Sequence, residues 1–356
     1  MASNQKPFLV EDRKIRFALV GCGRISKNHF EALAKHKESA ELVAICDNDP
    51  TALSSAVKAQ GVPGFADLTS MLEQSKADIV VLTTPSGLHS SQAIEVAKKG
   101  WHVLTEKPMA TNLEDGHRMQ KACKEAQVHL FVVHQNRRNA TLQLLKRAID
   151  QNRFGKIYLV NVNVFWTRPQ SYYDQSPWRG TWKMDGGAFI NQASHYVDLL
   201  SWLMGPVESL FSFTSTLARK IEAEDSGVVS LRWKSGAMGS MNVTMLTYPE
   251  NLEGSITILG ERGTAVVGGV AVNEIKQWRF SSPVEPDDAQ VSAASYPTAS
   301  VYGFGHSLYY ENVIQTLQGK AQPYTDGLEG LKSLELLEAI YRSSRSGKPL
   351  TLPLGV

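Results

Sequence analysis

The run Ile15-Arg16-Phe17-Ala18-Leu19-Val20 breaks directly into Gly21-Cys22-Gly23-Arg24-Ile25-Ser26, and an amphipathic stretch follows to Lys37. A short apolar run, a glycine turn and a helix, in this order, predict the opening of a doubly wound parallel sheet. The first glycine permits the tight turn, and the second lets backbone approach a pyrophosphate. The helix N-terminus adds free N–H groups and the positive end of its dipole. Ser26 stands where the fingerprint has its third glycine, and it is still small enough for close helix–strand packing. Asp47 ends the next apolar run, Leu42–Cys46, where an acid hydrogen-bonds the adenosine ribose. A carboxylate there repels a 2′-phosphate and so favours NAD over NADP. Alone, the glycines would be an ordinary turn and Asp47 a cap for Asp47-Asn48-Asp49-Pro50. In register, they point to dinucleotide binding.

The same style continues through Asp78–Leu82, Trp101–Leu104 and Leu130–Val133, short apolar runs of the kind that form buried parallel strands. Thr111 and Glu114 have the spacing of a capping box at the start of a helix. After residue 138 the pattern changes. Asn139 is placed to cap a helix running to Arg153. Ile157–Phe165 alternates with period two, with Tyr158, Val160, Val162 and Val164 on one face and Asn161 and Asn163 on the other. It reads as an antiparallel strand. Further strands are expected at Ser209–Ser215, Ser226–Trp233, Met238–Leu246, Gly254–Leu259 and Thr264–Gly268, a long loop at Ser281–Ser300, and helices from Gly305 to Gln318 and Gly327 to Ser346. The expected architecture is α/β: a Rossmann domain over residues 1–138, then an α+β domain over 139–356 with a large, open-faced, mainly antiparallel sheet. The C-terminal helices are expected to pack back on the first domain.

The chain has 356 residues, 42% hydrophobic and 20% charged, which is enough for two domains with ordinary cores. A formal net charge of +2 gives no reason to expect a nucleic-acid or membrane partner. The N-terminus lacks a signal-peptide pattern, and no run reaches the roughly 20 apolar residues of a membrane helix. Three cysteines, none at metal-ligand spacing, suit a reducing, cytoplasmic setting, and no metal is expected.

Four further motifs carry chemistry. Thr83-Thr84-Pro85-Ser86-Gly87-Leu88-His89 follows a strand end, where loops line the ligand crevice, so Thr84 and His89 are cofactor-side candidates. Position leaves His89 equally open as a helix N-terminal residue. Thr105-Glu106-Lys107-Pro108 ends another strand. A lysine there is suited to polarising an alcohol oxygen, and the alternative is a solvated surface turn. In Asp185-Gly186-Gly187-Ala188-Phe189-Ile190-Asn191-Gln192-Ala193-Ser194-His195, the four-residue spacing puts Asn191 and His195 on one helical face. Histidine is the usual base for an alcohol proton, and the alternative is a core histidine on an apolar helix. Arg168 and Arg179 lie among Trp166, Tyr172, Tyr173 and Trp178, a composition that suits an anionic, flat-faced ligand or an aromatic loop packed on the sheet.

Taken together, the glycine turn, the strand-end Asp47, Glu106-Lys107-Pro108, and Gly186-Gly187 with Asn191 and His195 resemble the glucose–fructose oxidoreductase/inositol dehydrogenase superfamily. The resemblance covers essentially the whole chain, including Gly254–Gly260. Within it the chain is similar to the UDP-N-acetyl-2-amino-2-deoxyglucuronate 3-dehydrogenases of lipopolysaccharide O-antigen sugar synthesis. The strings that carry this are Gln135–Thr141, Trp166–Gln170, Trp178–Trp182, Asn191–His195 and Tyr302-Gly303-Phe304-Gly305-His306.

The resemblance implies NAD as cofactor, with contacts from Gly21, Gly23, Arg24, Ile25, Ser26, Asp47, Thr84, His89, Glu106, Lys107 and Gln135. It implies a catalytic set of Lys107, His195 and Asn191, with His195 as acid/base and Asn191, often Asp in the superfamily, orienting the hydroxyl. A UDP-linked uronate would meet Arg168, Tyr172, Trp178, Arg179, Asn191 and His306. It further implies a cis Lys107–Pro108 bond, reoxidation of the cofactor by 2-oxoglutarate, and a homodimer or homotetramer built through the second sheet. Two other readings stay open: another sugar or polyol dehydrogenase of the superfamily, and a non-catalytic dinucleotide-binding regulator.

Overall fold

A computed structural model describes residues 7–281, 285–297 and 305–355. The chain divides into two compact units, one of residues up to His134 with His306–Leu334, the other of Gln135–Gly305 with the residues from Glu335 on. Tyr302, Gly303 and Phe304 lie outside the described residues.

The first unit is built on a parallel sheet of β1 (Ile15–Val20), β2 (Ala40–Cys46), β3 (Gly64–Phe65), β4 (Ile79–Leu82), β5 (His102–Thr105) and β6 (Leu130–Val132). Their order is β3-β2-β1-β4-β5-β6, with every pairing parallel. The order reverses between β1 and β4, so the loops after these two strands open at the topological switch point. The strands are apolar because both faces are covered: Phe17, Leu19, Ile79, Val81, Leu104 and Phe131 are buried in one core. The helix Gly305–Leu317 supplies Tyr309, Tyr310, Val313, Ile314 and Leu317 to that core. Tyr309 and Thr325 both donate hydroxyl hydrogen bonds to the carbonyl of Val132, at 2.7 and 2.6 Å. The helix Leu113–Glu125 starts one residue later than the expected box implies. Its cap is Asn112, which accepts from the Asp115 amide at 2.9 Å while its own amide donates to the Asp115 carboxylate.

The second unit holds an eight-stranded sheet: β7 (Ile157–Phe165), β8 (Val207–Ser215), β9 (Ser226–Trp233), β10 (Met238–Thr244), β11 (Glu253–Gly260), β12 (Gly263–Gly268), β13 (Glu274–Phe280) and β14 (Leu350–Thr351). The order is β13-β12-β11-β7-β10-β9-β8-β14. β7 is antiparallel to β11 but parallel to β10, which corrects the purely antiparallel expectation for this strand. A strand's alternation reports its buried face and not the direction of its neighbours. Val160, Val162 and Val164 are buried, each contributing about 1.5–3 kcal/mol relative to exposure. On the other face Asn161 donates to Ser240, Asn163 to Glu253, and Asn242 to Asn163.

The segment expected as one long loop at Ser281–Ser300 contains a 3₁₀ turn, Pro286–Gln290, and a short helix, Val291–Ala294. Glu285 and Asp288 form a capping box there, and Arg153 clamps Asp288 through two hydrogen bonds. Tertiary ion pairs thus supply the order that its Ser- and Pro-rich composition did not suggest. Among the described residues, no helix is long and apolar enough to cross a membrane.

Candidate active site

In the first unit, Gly21 has φ of +99°, and a Cβ there would lie 2.7–2.8 Å from the backbone of Thr83 and Thr84. Only glycine fits this turn. Thr83 fixes it from the neighbouring strand by donating its hydroxyl to the Gly21 carbonyl at 2.6 Å. Gly23 differs: it is exposed, and a Cβ on it would meet nothing within 4 Å. The space the second glycine leaves is open for a ligand, as a dinucleotide pyrophosphate requires. Ser26, in place of the third glycine, is 2% exposed and returns its hydroxyl to the Gly23 carbonyl at 2.7 Å. The helix Ser26–Lys35 starts after Ile25 with no side-chain cap, so no side chain of this helix start covers its first amides. Asp47 accepts from the Cys22 amide at 2.5 Å and the Asp49 amide at 2.8 Å. The strand-end carboxylate therefore braces the glycine turn, and Arg24 beside it is exposed.

The turn after β5 rests on a buried chain of hydrogen bonds. Tyr310 donates to Nδ1 of His29 at 2.8 Å. His29 Nε2 lies 3.0 Å from Oε1 of Glu106, and the Lys107 amide donates to Oε2 at 3.1 Å. His306 Nε2 lies 3.5 Å from the same Oε1. Burial opposes ionisation of Glu106, but hydrogen bonds from His29 and His306 outweigh it and hold the carboxyl well below its usual range. Burial lowers the His29 pKa, so the ring is neutral and donates from Nε2 while Nδ1 accepts from Tyr310. The ligand-type atoms of His29, Glu106 and His306 all lie within 4.8 Å of one another.

Three of the expected site residues are buried. Glu106 is 5% exposed, and its side chain accepts from the backbone amide of Lys107. His306 is 5% exposed and packs against Glu106 and His29. His89 is fully buried with its ring nitrogens 2.9 Å from the carbonyls of Pro108 and Thr84. Burial lowers its pKa. Lys107 is half-buried, and the Lys107–Pro108 bond is cis. Thr84 is half-buried and donates to Gln92 at 2.6 Å. His134 is buried with its Nε2 3.5 Å from the Ser333 hydroxyl.

In the second unit, Gln135 and His195 meet, with the Gln135 amide nitrogen 3.2 Å from Nε2 of His195. An amide N–H only donates, so this ring nitrogen accepts. The two elements carrying them are locked by Arg137, which reaches Asp198 at 2.8 and 2.6 Å in a buried bidentate pair.

Asn191 and His195 do not share one α-helix, as their spacing suggested. Asn191 belongs to a π-helical turn, Ala188–Gln192, and His195 to the α-helix Ser194–Met204 that follows. The wider turn arises because the Ala193 amide bonds back to the Ala188 carbonyl at 2.8 Å. Asn191 donates its amide to Asp185, which also accepts from the Gly180 amide at 2.7 Å. Sequence reading gave Asp185 no role. An acid directly before two glycines was the available signal.

Arg168 is held by Gln192 at 2.9 Å and by the Thr167 carbonyl at 2.7 Å. Arg179 donates to the Tyr172 carbonyl at 2.7 Å and lies 4.3 Å from the Tyr172 ring centroid. Arg168 lies 5.6 Å from that ring, and Gln192 donates to the Tyr172 hydroxyl at 3.1 Å. Trp178 also takes Arg179, at 5.6 Å. Two guanidinium groups are thus gathered around one half-buried tyrosine, close in sequence and contact to the turn that carries Asn191.

Residues 15–134 match an oxidoreductase family by its NAD-binding Rossmann fold, and residues 146–352 match its C-terminal alpha/beta domain. The chain is similar to the WlbA dehydrogenase of Bordetella pertussis, solved in complex with NADH and UDP-GlcNAcA. Identity is 66%, coverage 97% of this chain and 100% of that one, and the TM-score 0.95. The WlbA dehydrogenase of Chromobacterium violaceum, also solved with NADH and UDP-GlcNAcA, is 65% identical with a TM-score of 0.94, covering 98% of this chain and 99% of that one. D-apiose dehydrogenase of Paraburkholderia graminis is 26% identical over 350 residues, covering 96% of this chain and 90% of the relative. The glycine turn with its open Gly23, the two sheets and these matches agree: the chain belongs to the glucose–fructose oxidoreductase/inositol dehydrogenase/MocA family of NAD-dependent oxidoreductases.

Proposed function

We propose that this enzyme oxidises the C3 hydroxyl of UDP-N-acetyl-2-amino-2-deoxyglucuronate to the 3-keto sugar. The observation that carries the reading is the 66% identity, over 97% of the chain, to a dehydrogenase captured with NADH and UDP-GlcNAcA. The residues present fit the dinucleotide: Gly21 makes the turn, Gly23 leaves space that a pyrophosphate would fill, and Asp47 at the strand end would meet the adenosine ribose. When bound, NAD accepts the hydride that leaves the alcohol carbon.

His195 takes the hydroxyl proton on Nε2, the substrate hydroxyl replacing the Gln135 amide at that nitrogen's single lone pair. Lys107 stabilises the negative charge that grows on the oxygen as the C–O bond becomes a ketone. Its backbone is fixed by the ionised Glu106. Asn191, oriented by Asp185, hydrogen-bonds the sugar. Arg168 and Arg179 take the uronate carboxylate or the diphosphate, with Tyr172 and Trp178 offering ring faces.

The 3-keto product suits a later amino-group transfer in O-antigen sugar synthesis, and 2-oxoglutarate is the proposed acceptor that reoxidises NADH. Assembly into a homodimer or homotetramer belongs to the same proposal. Phe213 and Val228, register partners on β8 and β9, are 63% and 47% exposed and offer an apolar face. A cytoplasmic setting is supported by the free thiols of Cys22, Cys46 and Cys123.

The test is NADH formation with UDP-N-acetylglucosaminuronate against UDP-N-acetylglucosamine, with and without 2-oxoglutarate. Turnover of the uronate alone supports the reading. Protein that binds NAD yet turns over neither sugar contradicts it.

A further inference from the structure

The π-helical turn that carries Asn191 has amides at its start with no acceptor inside the turn. Three consecutive ones are satisfied by two residues from distant parts of the second unit. The Glu224 carbonyl accepts from the Ala188 amide at 2.9 Å. Glu224 Oε1 accepts from the Phe189 amide at 2.8 Å. The Tyr341 hydroxyl accepts from the Ile190 amide at 3.1 Å and donates to the same Oε1 at 2.9 Å. The next amide, that of Asn191, returns to the Gly187 carbonyl at 3.0 Å. Glu224 is 3% exposed and Tyr341 4%. A side chain at Gly187 would collide with the Glu224 carboxylate, so glycine there admits the clasp.

We propose that Glu224 and Tyr341 are positioning residues: they hold the first amides of the Ala188–Gln192 turn and thereby set where Asn191 and His195 present their side chains. This rests on the catalytic reading of Asn191 and His195 given above. A π turn costs more than an α turn and recurs at functional sites, so an outside clasp is what keeps it formed. Two of the three acceptors are side chains of Glu224 and Tyr341, and the residue before the turn, Gly187, provides no side-chain cap.

The clasp also has a titratable member. Burial pushes the Glu224 carboxyl up to about 7, while the Phe189 amide and Tyr341 hydroxyl pull the other way. The charged groups acting on the pair are Asp225, which raises Glu224 further, and Arg345, which acts on Tyr341. An ionised carboxylate is the stronger acceptor, so the clasp tightens as pH rises through neutrality.

The experiment compares Tyr341→Phe, Glu224→Gln and Glu224→Ala with the parent enzyme. It reads kcat and the KM for NAD across neutral pH, amide hydrogen exchange at residues 188–191, and the NMR titration of the His195 ring. Tyr341→Phe is expected to speed exchange at Ile190 and lower kcat about tenfold or more, as a small misplacement of catalytic groups does. Its KM for NAD stays close to the parent value, because the dinucleotide residues are untouched. Glu224→Gln keeps the acceptor oxygen, so it is expected to retain most of kcat and to lose the inflection near pH 7. A purely structural role predicts a lower melting temperature with the same pH profile. Folded Tyr341→Phe and Glu224→Ala enzymes with parental kcat would overturn the proposal. A parent that turns over no nucleotide sugar would sink the substrate reading instead. In that case unchanged exchange and an unchanged His195 titration in both variants would overturn the clasp.

Discussion

The Gln135 amide meets Nε2 of His195 at 3.2 Å, and the elements that carry the two residues are bolted together by the buried Arg137–Asp198 pair. The donated hydrogen bond keeps that ring nitrogen an acceptor, the form a general base needs before it takes a proton. Gln135→Ala is therefore expected to lower kcat by roughly tenfold to a hundredfold, within the span of general-base effects, with little change in melting temperature. Steady-state kinetics with a parallel melt separates this from a folding defect.

The two glycines of the first turn are expected to fail differently. Gly21→Ala places a Cβ against Thr83 and Thr84 at a φ of +99° and should destabilise the fold by about 1–3 kcal/mol. Gly23→Ala meets nothing in the protein, so its stability should stay within about 0.5 kcal/mol of the parent. It should nonetheless bind NADH much more weakly, as read by fluorescence titration. Equal loss of stability in both variants would contradict the assignment of the open space to a ligand.

Asp47 braces Cys22 and Asp49, and the proposed reading also gives its charge the exclusion of a 2′-phosphate. Asp47→Asn keeps an acceptor oxygen and removes that charge. It should narrow the preference for NAD over NADP, measured as the ratio of kcat/KM for the two cofactors. An unchanged ratio would remove Asp47 from cofactor discrimination.

Two buried groups give stability opposite dependences on pH. Glu224 holds its proton up to about pH 7 when folded, against an ordinary value of 4.5, so its contribution is complete at acid pH. It is lost as pH rises through neutrality, to the extent of about 3 kcal/mol. Burial lowers His102 from 6.5 to about 3, so its contribution is complete above 6.5 and is lost as pH falls. Glu224→Gln removes the first dependence alone. Its melting temperature should gain on the parent as pH rises from about 5 to about 8, and parallel curves would argue against a buried, titrating Glu224.

Much of the dinucleotide unit was legible because its signals are local. Gly21 must be glycine for its own φ, and Asp47 lies at a strand end that its apolar run announces. The remainder depends on residues far apart in sequence. Nothing near Glu106 foretells that His29 and His306 will surround it or that its carboxylate will accept from the Lys107 amide. Asn191 and His195 at a spacing of four looked like one α-helical face, yet amide contacts from Glu224 and Tyr341 favour a π turn. β13, with Glu274, Lys276 and Arg279 among its residues, escaped notice because an edge strand pairs through backbone and carries little hydrophobic pattern.

The central claim is oxidation at C3 of the sugar, and the most direct measurement is isotope transfer. UDP-N-acetylglucosaminuronate carrying deuterium only at C3 would be oxidised with unlabelled NAD, and the reduced cofactor analysed by mass spectrometry and NMR. The account predicts deuterium at the nicotinamide C4 and a 3-keto sugar without the label. Reduced cofactor free of deuterium, or no oxidation of this sugar by protein that binds NAD, would contradict it.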